Sequence, residues 1–330
     1  MMINRVGYSL GTLLSPREML IAGKEANNNH NTHSIWVPET WGREAFSSLG
    51  ALSQVTDRVK LGTSIVSIYS RSASTIAMSA ATVDILSNRR MVIGLGASTP
   101  VLAENWHGLK FENPVRRMKE YIECIRLILK GELVNYNGSF CKIKNFKLAF
   151  RPKRRKIPIF LAAVNQKMIL LSASIGDGLV LYLRPEHEIR NVVSTVRSMR
   201  PHRDFEIACV FITAVSDKNP EKGRDRAAKT VAFYVAVGRY YNKFLAENGF
   251  RNEVRNITDE YNSRGLNAAS KLVTDKMLRS LAIYGSREDC IKALKKFMST
   301  GISLPIIQIN PLEGIEGSFR ETLTIFNGNV

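Results

Sequence analysis

Cysteine is scarce in this chain of 330 residues: Cys124, Cys141, Cys209 and Cys290 are the four present. They stand 17, 68 and 81 residues apart, with no CxxC and no histidine pair nearby. That spacing offers neither a zinc site nor a redox dithiol, so the four are expected to be reduced and structural. Long apolar runs are also missing. No window approaches about 18 uncharged apolar residues, and the start, Met1-Met2-Ile3-Asn4-Arg5, lacks the stretch and cleavage site of a secretory signal. The expectation is a soluble cytoplasmic protein. Acids are in short supply, 29 against 47 Lys and Arg, which leaves a formal charge of +18. Such a surface favours polyanions without naming one.

Histidine is sparse as well, and no two of the five have metal-ligand spacing. Neither G-x-S-x-G nor a P-loop occurs, so metal hydrolysis, serine hydrolysis and phosphoryl transfer by those routes lose ground, and no metal is expected. His30, His33, His187 and His202 fall in expected helix ends or turns, where solvent would surround them. In Trp106-His107-Gly108, by contrast, a histidine sits beside an aromatic in an expected rim loop.

What is present is an ordinary globular composition with 45% hydrophobic residues. Short β-rich runs alternate with helical patterns. Strands are predicted at Ile3 to Leu10, Ser34 to Val37, Val59 to Val66, Met91 to Gly96, Pro158 to Ala163, Gly178 to Leu183, Phe205 to Val215 and Ile302 to Asn310. Helices are predicted near Ser15 to Asn28, Arg43 to Thr56, Ser72 to Leu86, Val115 to Leu129, Lys167 to Ser174, Pro185 to Arg200 and Ser286 to Thr300. Eight continuous apolar strands separated by helices mean a parallel sheet covered on both faces. The fold class expected is therefore α/β, a (β/α)8 TIM barrel. Two segments break the beat: 132–156, with a hairpin around Asn137-Gly138, and 220–283, which reads as helical throughout. The expectation is one domain, 1–330, with these two segments as insertions.

Function in such a barrel sits at the C-terminal ends of the strands. The second strand ends in Val37-Pro38-Glu39-Thr40-Trp41-Gly42, where Glu39 either faces a planar ligand or pairs with Arg43 on the next helix. The third passes through Ser64-Ile65, whose switch from small to β-branched residues accommodates a bulge. The fourth ends in Gly94-Leu95-Gly96-Ala97-Ser98, and Thr99 breaks the G-x-G-x-x-G spacing of a dinucleotide loop. The fifth ends in Ala162-Ala163-Val164-Asn165, before a helix whose N-terminal amides suit a phosphate, although many barrel turns look alike. Residues 139–156 hold Lys142, Lys144, Lys147, Arg151, Lys153, Arg154, Arg155 and Lys156 with no acid, either a solvated connector or a docking patch for an anion.

Together these residues resemble the bacterial-luciferase-like superfamily and, within it, oxidoreductases that use the deazaflavin coenzyme F420, such as methylenetetrahydromethanopterin reductase. The resemblance covers nearly the whole chain. It rests on Trp36 to Gly42, Leu61 to Ile65 with Arg71, Asp84 to Arg89, Gly94 to Ser98, Glu104 to Gly108, Arg116 to Leu129, Ile157 to Ala163, Ser174 to Gly178 and Tyr284 to Asp289. It implies a non-proline cis peptide at Ser64-Ile65 that backs the cofactor ring. Glu39 and Thr40 would line the ring's other side, Ala97 and Ser98 its head and side chain, and the amides of Ala163, Val164 and Asn165 its phosphate. Departures are equally informative. The family's Asp-His pair is Glu39-Thr40 here, an acid after strand four is Thr99, and a glutamate ending strand one is Ser9, so no known substrate is assigned.

The resemblance thus implies hydride transfer between coenzyme F420 and an organic substrate, with Glu39 or His107 managing any proton and orientation as the main catalytic device. An FMN-dependent monooxygenase is the alternative on the same fold. A nucleic-acid or anionic-surface binder is a remoter reading of the +18 charge, since Phe140, Phe146 and Phe150 interleave the basic segment. A small-molecule substrate, no nucleic acid, no membrane and a homodimer are expected.

Overall fold

Apolar runs of four to ten residues, most of them buried on both faces, become parallel strands, and the chain closes eight of them into a ring. The computed structural model describes residues 5–11, 13–201, 204–312 and 314–326. Ile3 and Asn4 of the expected first strand, and His202, therefore lie outside the described residues. The strands are β1 (Val6–Ser9), β2 (Thr32–Val37), β3 (Lys60–Thr63), β4 (Val66–Ser67), β5 (Met91–Gly96), β6 (Val134–Asn137), β7 (Lys142–Phe146), β8 (Ile159–Ala162), β9 (Gly178–Tyr182), β10 (Glu206–Val215), β11 (Ala282–Gly285) and β12 (Leu304–Ile309). The parallel ring runs β1, β2, β3, β5, β8, β9, β10, β12 and back to β1. β4 resumes the third stave after a break at Ser64-Ile65 and pairs with β5. The expected (β/α)8 TIM barrel is what the chain forms.

Several helices start where the chain supplies caps. Ser15 and Glu18 form a reciprocal capping box before Pro16–Asn28, and Ser286 and Asp289 do so before Arg287–Met298. Ser72, Asn165 and Thr274 cap three more through a side-chain oxygen. The hairpin β6/β7 forms around Asn137-Gly138 as expected. The basic segment beyond it is pinned to the barrel in part, because Arg154 makes paired hydrogen bonds to the buried Asp84 carboxylate and Lys156 meets Asp177 at 2.8 Å.

Three expectations need correction. Residues 282 and 283 belong to a strand, β11, that pairs with the outer half of β10 at Ile212 to Val215. The chain also does not close on β12, since a helix, Ile315–Ile325, follows it. And His33 is neither in a helix end nor solvated. It lies in β2, where its Nε2 receives a hydrogen bond from Arg5 at 2.8 Å. Burial, then the charges of Arg5 and Lys60, pull its pKa down to about 3.

Side chains alternate between the lumen and the helical shell. The shell core takes Tyr8, Ile35, Leu61, Ile93 and Leu161 among many others. The lumen core is a separate cluster of Trp36, Val92, Phe160, Val180, Ala208, Val210, Leu304 and Ile306. Trp36 and Phe160 meet there with ring centroids 5.7 Å apart. This plug is the floor of the barrel's C-terminal mouth. A third core, including Ala227, Val231, Leu245, Ile257 and Leu278, lies under the helices between β10 and β11.

Candidate functional site

One step above the Trp36 and Phe160 plug, the same alternation places Ser9, Gly96, Ala162, Tyr182 and Gln308 toward the lumen at the mouth. Three of the five are small, so the layer is shallow and leaves room for a flat ligand. Ser9 is 8% exposed and the neighbouring rim residues Ala97, Ser98 and Val164 are partly exposed. No acid occurs among these five positions.

The third stave shapes this layer. The Ser64–Ile65 peptide is cis, as the resemblance implied. Its neighbour Thr63 is fully buried and bridges to β5, its Oγ1 donating to Gly94 O and accepting from Gly94 N, both at 2.8 Å. A Cβ on Gly94 would stand 1.9 Å from Thr63 O, and one on Gly96 would stand 2.4 Å from Ile65 Cδ1. Two glycines on β5 therefore let the break press against it, and Ile65 lies over the lumen beside Gly96. Side chains in left-handed backbone mark the rim as well: Ser98 at φ 61° and Leu183 at φ 49°, at the ends of β5 and β9. Non-glycine residues adopt this region only where their surroundings impose it, and functional sites are where such residues gather.

Glu39 requires a correction. Its expected alternatives were a planar ligand or Arg43, but Arg43 instead donates to Gly11 O. Glu39 Oε1 and Oε2 accept from Arg71 Nε and Nη2 at 3.2 and 2.9 Å, and Oε2 also accepts from Ala45 N at 2.9 Å. Arg71 further meets Glu44, which caps the helix Ala45–Val55 through Phe46 N and Ser47 N. Burial opposes the Arg71 charge, but hydrogen bonds and charge from Glu39 with the charge of Glu44 outweigh it and raise its pKa. Both Glu39 oxygens thus carry donors, and the carboxylate fastens the rim loop; a free proton-relay carboxylate is not what the geometry presents.

Thr40 and His107 are exposed on neighbouring rim loops. Those loops touch through Trp41 and Trp106, 66% and 49% exposed, with ring centroids 5.9 Å apart. Among the described residues no hydrogen bond or ion pair joins His107 to Glu39, whose oxygens are taken by Arg71 and Ala45 N. Across the mouth, Ala163 is buried, Val164 partly exposed and Asn165 exposed, and Asn165 Oδ1 caps the helix Gln166–Ile175 by accepting from Met168 N.

Two features were missed in the sequence. Arg184, 4% exposed, follows β9, donates to Val164 O at 2.5 Å and lies 4.3 Å from the Phe244 ring centroid. Burial lowers its pKa, and it ties β9's end to the segment Ala163 to Asn165. Tyr182 packs edge-on against Tyr234 and Tyr241, and burial raises its pKa well above the usual phenol value. The strand-end rule applied to β9 was the signal that would have found both. In the basic segment, Phe140 lies 4.8 Å from Arg117 and Phe146 packs on the shell core, which leaves Phe150 as the exposed one of the three.

With this geometry in place, the comparisons are consistent. The family described as luciferase-like monooxygenase matches residues 28–304. A 5,10-methylenetetrahydromethanopterin reductase of Archaeoglobus fulgidus is 28% identical over 279 residues, covering 81% of this chain and 82% of that protein. The coenzyme F420-dependent tetrahydromethanopterin reductase of Methanopyrus kandleri superposes with a TM-score of 0.86 at 18% identity, covering 97% of each chain. A monooxygenase of Streptomyces bottropensis superposes at 0.74 with 17% identity, covering 98% of this chain and 97% of that one. At these identities the two superpositions speak for the fold. Among the described residues no helix is long and apolar enough to cross a membrane.

Proposed function

The chain belongs to the luciferase-like monooxygenase family, and we propose that it is an oxidoreductase that uses coenzyme F420 as its hydride carrier with a small organic substrate. The observation that carries this reading is the break at Ser64-Ile65, pressed onto Gly94 and Gly96 beside a shallow layer of small side chains. A flat tricyclic ring would lie on this shallow layer, whose shape depends on Gly94 and Gly96, since a side chain at either position would push Thr63 or Ile65 out of place. A relative in Mycobacterium tuberculosis named as a putative coenzyme F420-dependent oxidoreductase, 25% identical over 328 residues and covering 90% of this chain and 91% of that protein, supports the choice of cofactor.

Bound deazaflavin supplies a hydride from one ring carbon. Ser64 and Ile65 back the ring, and Ala97 and Ser98 lie along its edge. The segment Ala163, Val164 and Asn165 would hold the phosphate at the start of Gln166–Ile175, where the helix dipole favours an anion, although Ala163 N is bonded to Val180 O and Met168 N to the Asn165 side chain. Glu39 holds the loop that carries Thr40 and Trp41 through Arg71, and Thr40 lines the ring's other side. His107, exposed at the rim, is placed to exchange a proton with solvent. A mouth layer without an acid suits chemistry in which fixing donor and acceptor carbons within reach supplies several kcal/mol of the barrier reduction. In this reading 1–330 act as one unit, with 132–156 and 220–283 as insertions, and the working assembly is a homodimer.

Titrating the apoprotein with F420 and following the cofactor's absorbance and fluorescence tests the proposal. Saturable binding at about ten micromolar or tighter is expected, and no binding at several times that concentration removes it. An FMN-dependent oxygenase is the second reading, favoured by the superposing monooxygenase. Oxygen consumption with reduced FMN and an organic substrate, without F420 binding, would put it first.

A further inference from the structure

Ser9 on β1 is in register with Gln308 on β12 and with Trp36 on β2, so a hydroxyl and a carboxamide lie on adjoining staves just above the aromatic plug. Alternation points both into the lumen. Two residues earlier, Gly7 and Ile306 meet there, where a Cβ on Gly7 would stand 3.1 Å from Ile306 Cγ1. Among the described residues, neither Ser9 Oγ nor the Gln308 carboxamide closes a hydrogen bond of regular geometry. The Tyr182 hydroxyl, buried beside Gln308 and Tyr234, closes none either. Polar groups left unpaired in so enclosed a layer give up hydration without return, and a ligand that offers them hydrogen bonds restores it.

Charge narrows what that ligand is. Arg71 and Arg184, which follow the third and sixth staves, are already engaged, the first by Glu39 and Glu44 and the second by Glu188 at 3.4 Å and by Val164 O. An ionised group seated in the layer would lose its water and find no counter-charge among Ser9, Gly96, Ala162, Tyr182 and Gln308. An uncharged oxygen fares better. The Ser9 hydroxyl and the Gln308 N–H both donate to a carbonyl oxygen, and the oxygens of the same two side chains accept from an alcohol. Ile65 lies beside Gly96 on β5, and β12 is the stave opposite β5 in the ring of eight, so a ring backed by Ile65 turns its free face toward Gln308.

We propose that Ser9 and Gln308 are the specificity-determining pair of the mouth and bind the oxygen of an uncharged carbonyl substrate, an aldehyde or ketone, or of the alcohol it becomes. This rests on the reading of the mouth as a hydride-transfer site. There the carbonyl carbon gains the hydride of the reduced deazaflavin, the C=O π pair moves onto oxygen, and a solvent proton completes the hydroxyl. The test is calorimetric titration of the full chain, with and without saturating F420, using acetophenone and, separately, benzoate as probes at constant ionic strength. Saturable binding of acetophenone is expected, with benzoate about tenfold weaker or more. The +18 field favours the anion elsewhere on the surface, so preference for the neutral probe is the mark of this layer. Ser9→Ala and Gln308→Leu should each melt within about 2 °C of wild type and each weaken acetophenone about fivefold, and either variant suffices if the other fails to fold. Failure of F420 to bind removes the cofactor reading above, while the probe affinities of the free chain still decide this one. Benzoate binding as tightly as acetophenone, wild-type acetophenone affinity in the folded variants, or no saturation by acetophenone up to about 10 mM overturns the proposal.

Discussion

Substituting Gly94 by alanine isolates the contact on which the mouth depends. The added Cβ would lie 1.9 Å from the carbonyl oxygen of Thr63. Both atoms belong to backbone-fixed groups, so no rotamer change relieves the overlap and the two staves must part. Parting them disturbs the two 2.8 Å hydrogen bonds between Thr63 Oγ1 and Gly94, each contributing about 1 kcal/mol. Overpacking adds about 1–3 kcal/mol, giving a total of about 3–5 kcal/mol. At about 2 °C per kcal/mol for a chain of this size, the melting temperature should fall by about 6–10 °C. Gly96→Ala is the informative contrast. Its Cβ meets the flexible end of Ile65, 2.4 Å away at Cδ1, so stability should fall by only about 1–2 kcal/mol. Ile65 must swing over the lumen, however, and F420 affinity should drop about tenfold or more. Differential scanning calorimetry and cofactor titration on both variants give the answer. A Gly94→Ala protein that melts within about 1 °C of wild type would refute the reasoning.

Three further outcomes follow from the same geometry. His33 has a folded pKa of about 3 against an ordinary 6.5, so its contribution is fully present above pH 6.5 and is lost as pH falls toward 3. By pH 5 that loss amounts to about 2 kcal/mol, and denaturant unfolding of His33→Gln should show a flatter limb between pH 6.5 and 5. Glu206, held below the usual carboxylate range by Ser303 and Arg5 against the effect of its burial, loses its contribution only at lower pH. Replacing Arg71 by Met leaves Glu39 and Glu44 without their shared cation. About 1–3 kcal/mol of stability should be lost after allowance for partial exposure, and F420 binding should weaken, as calorimetry and titration would measure. Trp41→Ala and Trp106→Ala remove exposed rings, so melting should change by less than about 0.5 kcal/mol while KM for the substrate rises; unchanged KM in both would take the pair out of the substrate's path.

Strands with strong local signals were legible: Met91–Gly96 is bounded as its pattern predicts, because turn residues precede it and glycine ends it. β11 was not, since Ala282 continues directly from the helix Asp275–Leu281 and its four residues become a strand only through pairing with β10. The same limit governs the site. Which loops form the rim follows from strand order, but the partner of Glu39 lies 32 residues away at Arg71, and nothing local separates it from Arg43. His33 was misread for the same reason, because its burial depends on Arg5 and Glu206, which reach it from opposite parts of the chain.

β10 changes neighbours along its length. Its first half closes the ring against β9, and Ile212 to Val215 pair with β11. The helices between Pro220 and Leu281 therefore leave past the end of β10 at Val215 and return beside that same strand, with Ala282 opposite Ile212. A segment anchored in this way is an exchangeable cassette. It can be shortened, lengthened or replaced by another with matching ends at little entropic cost, while the eight staves beneath keep their register.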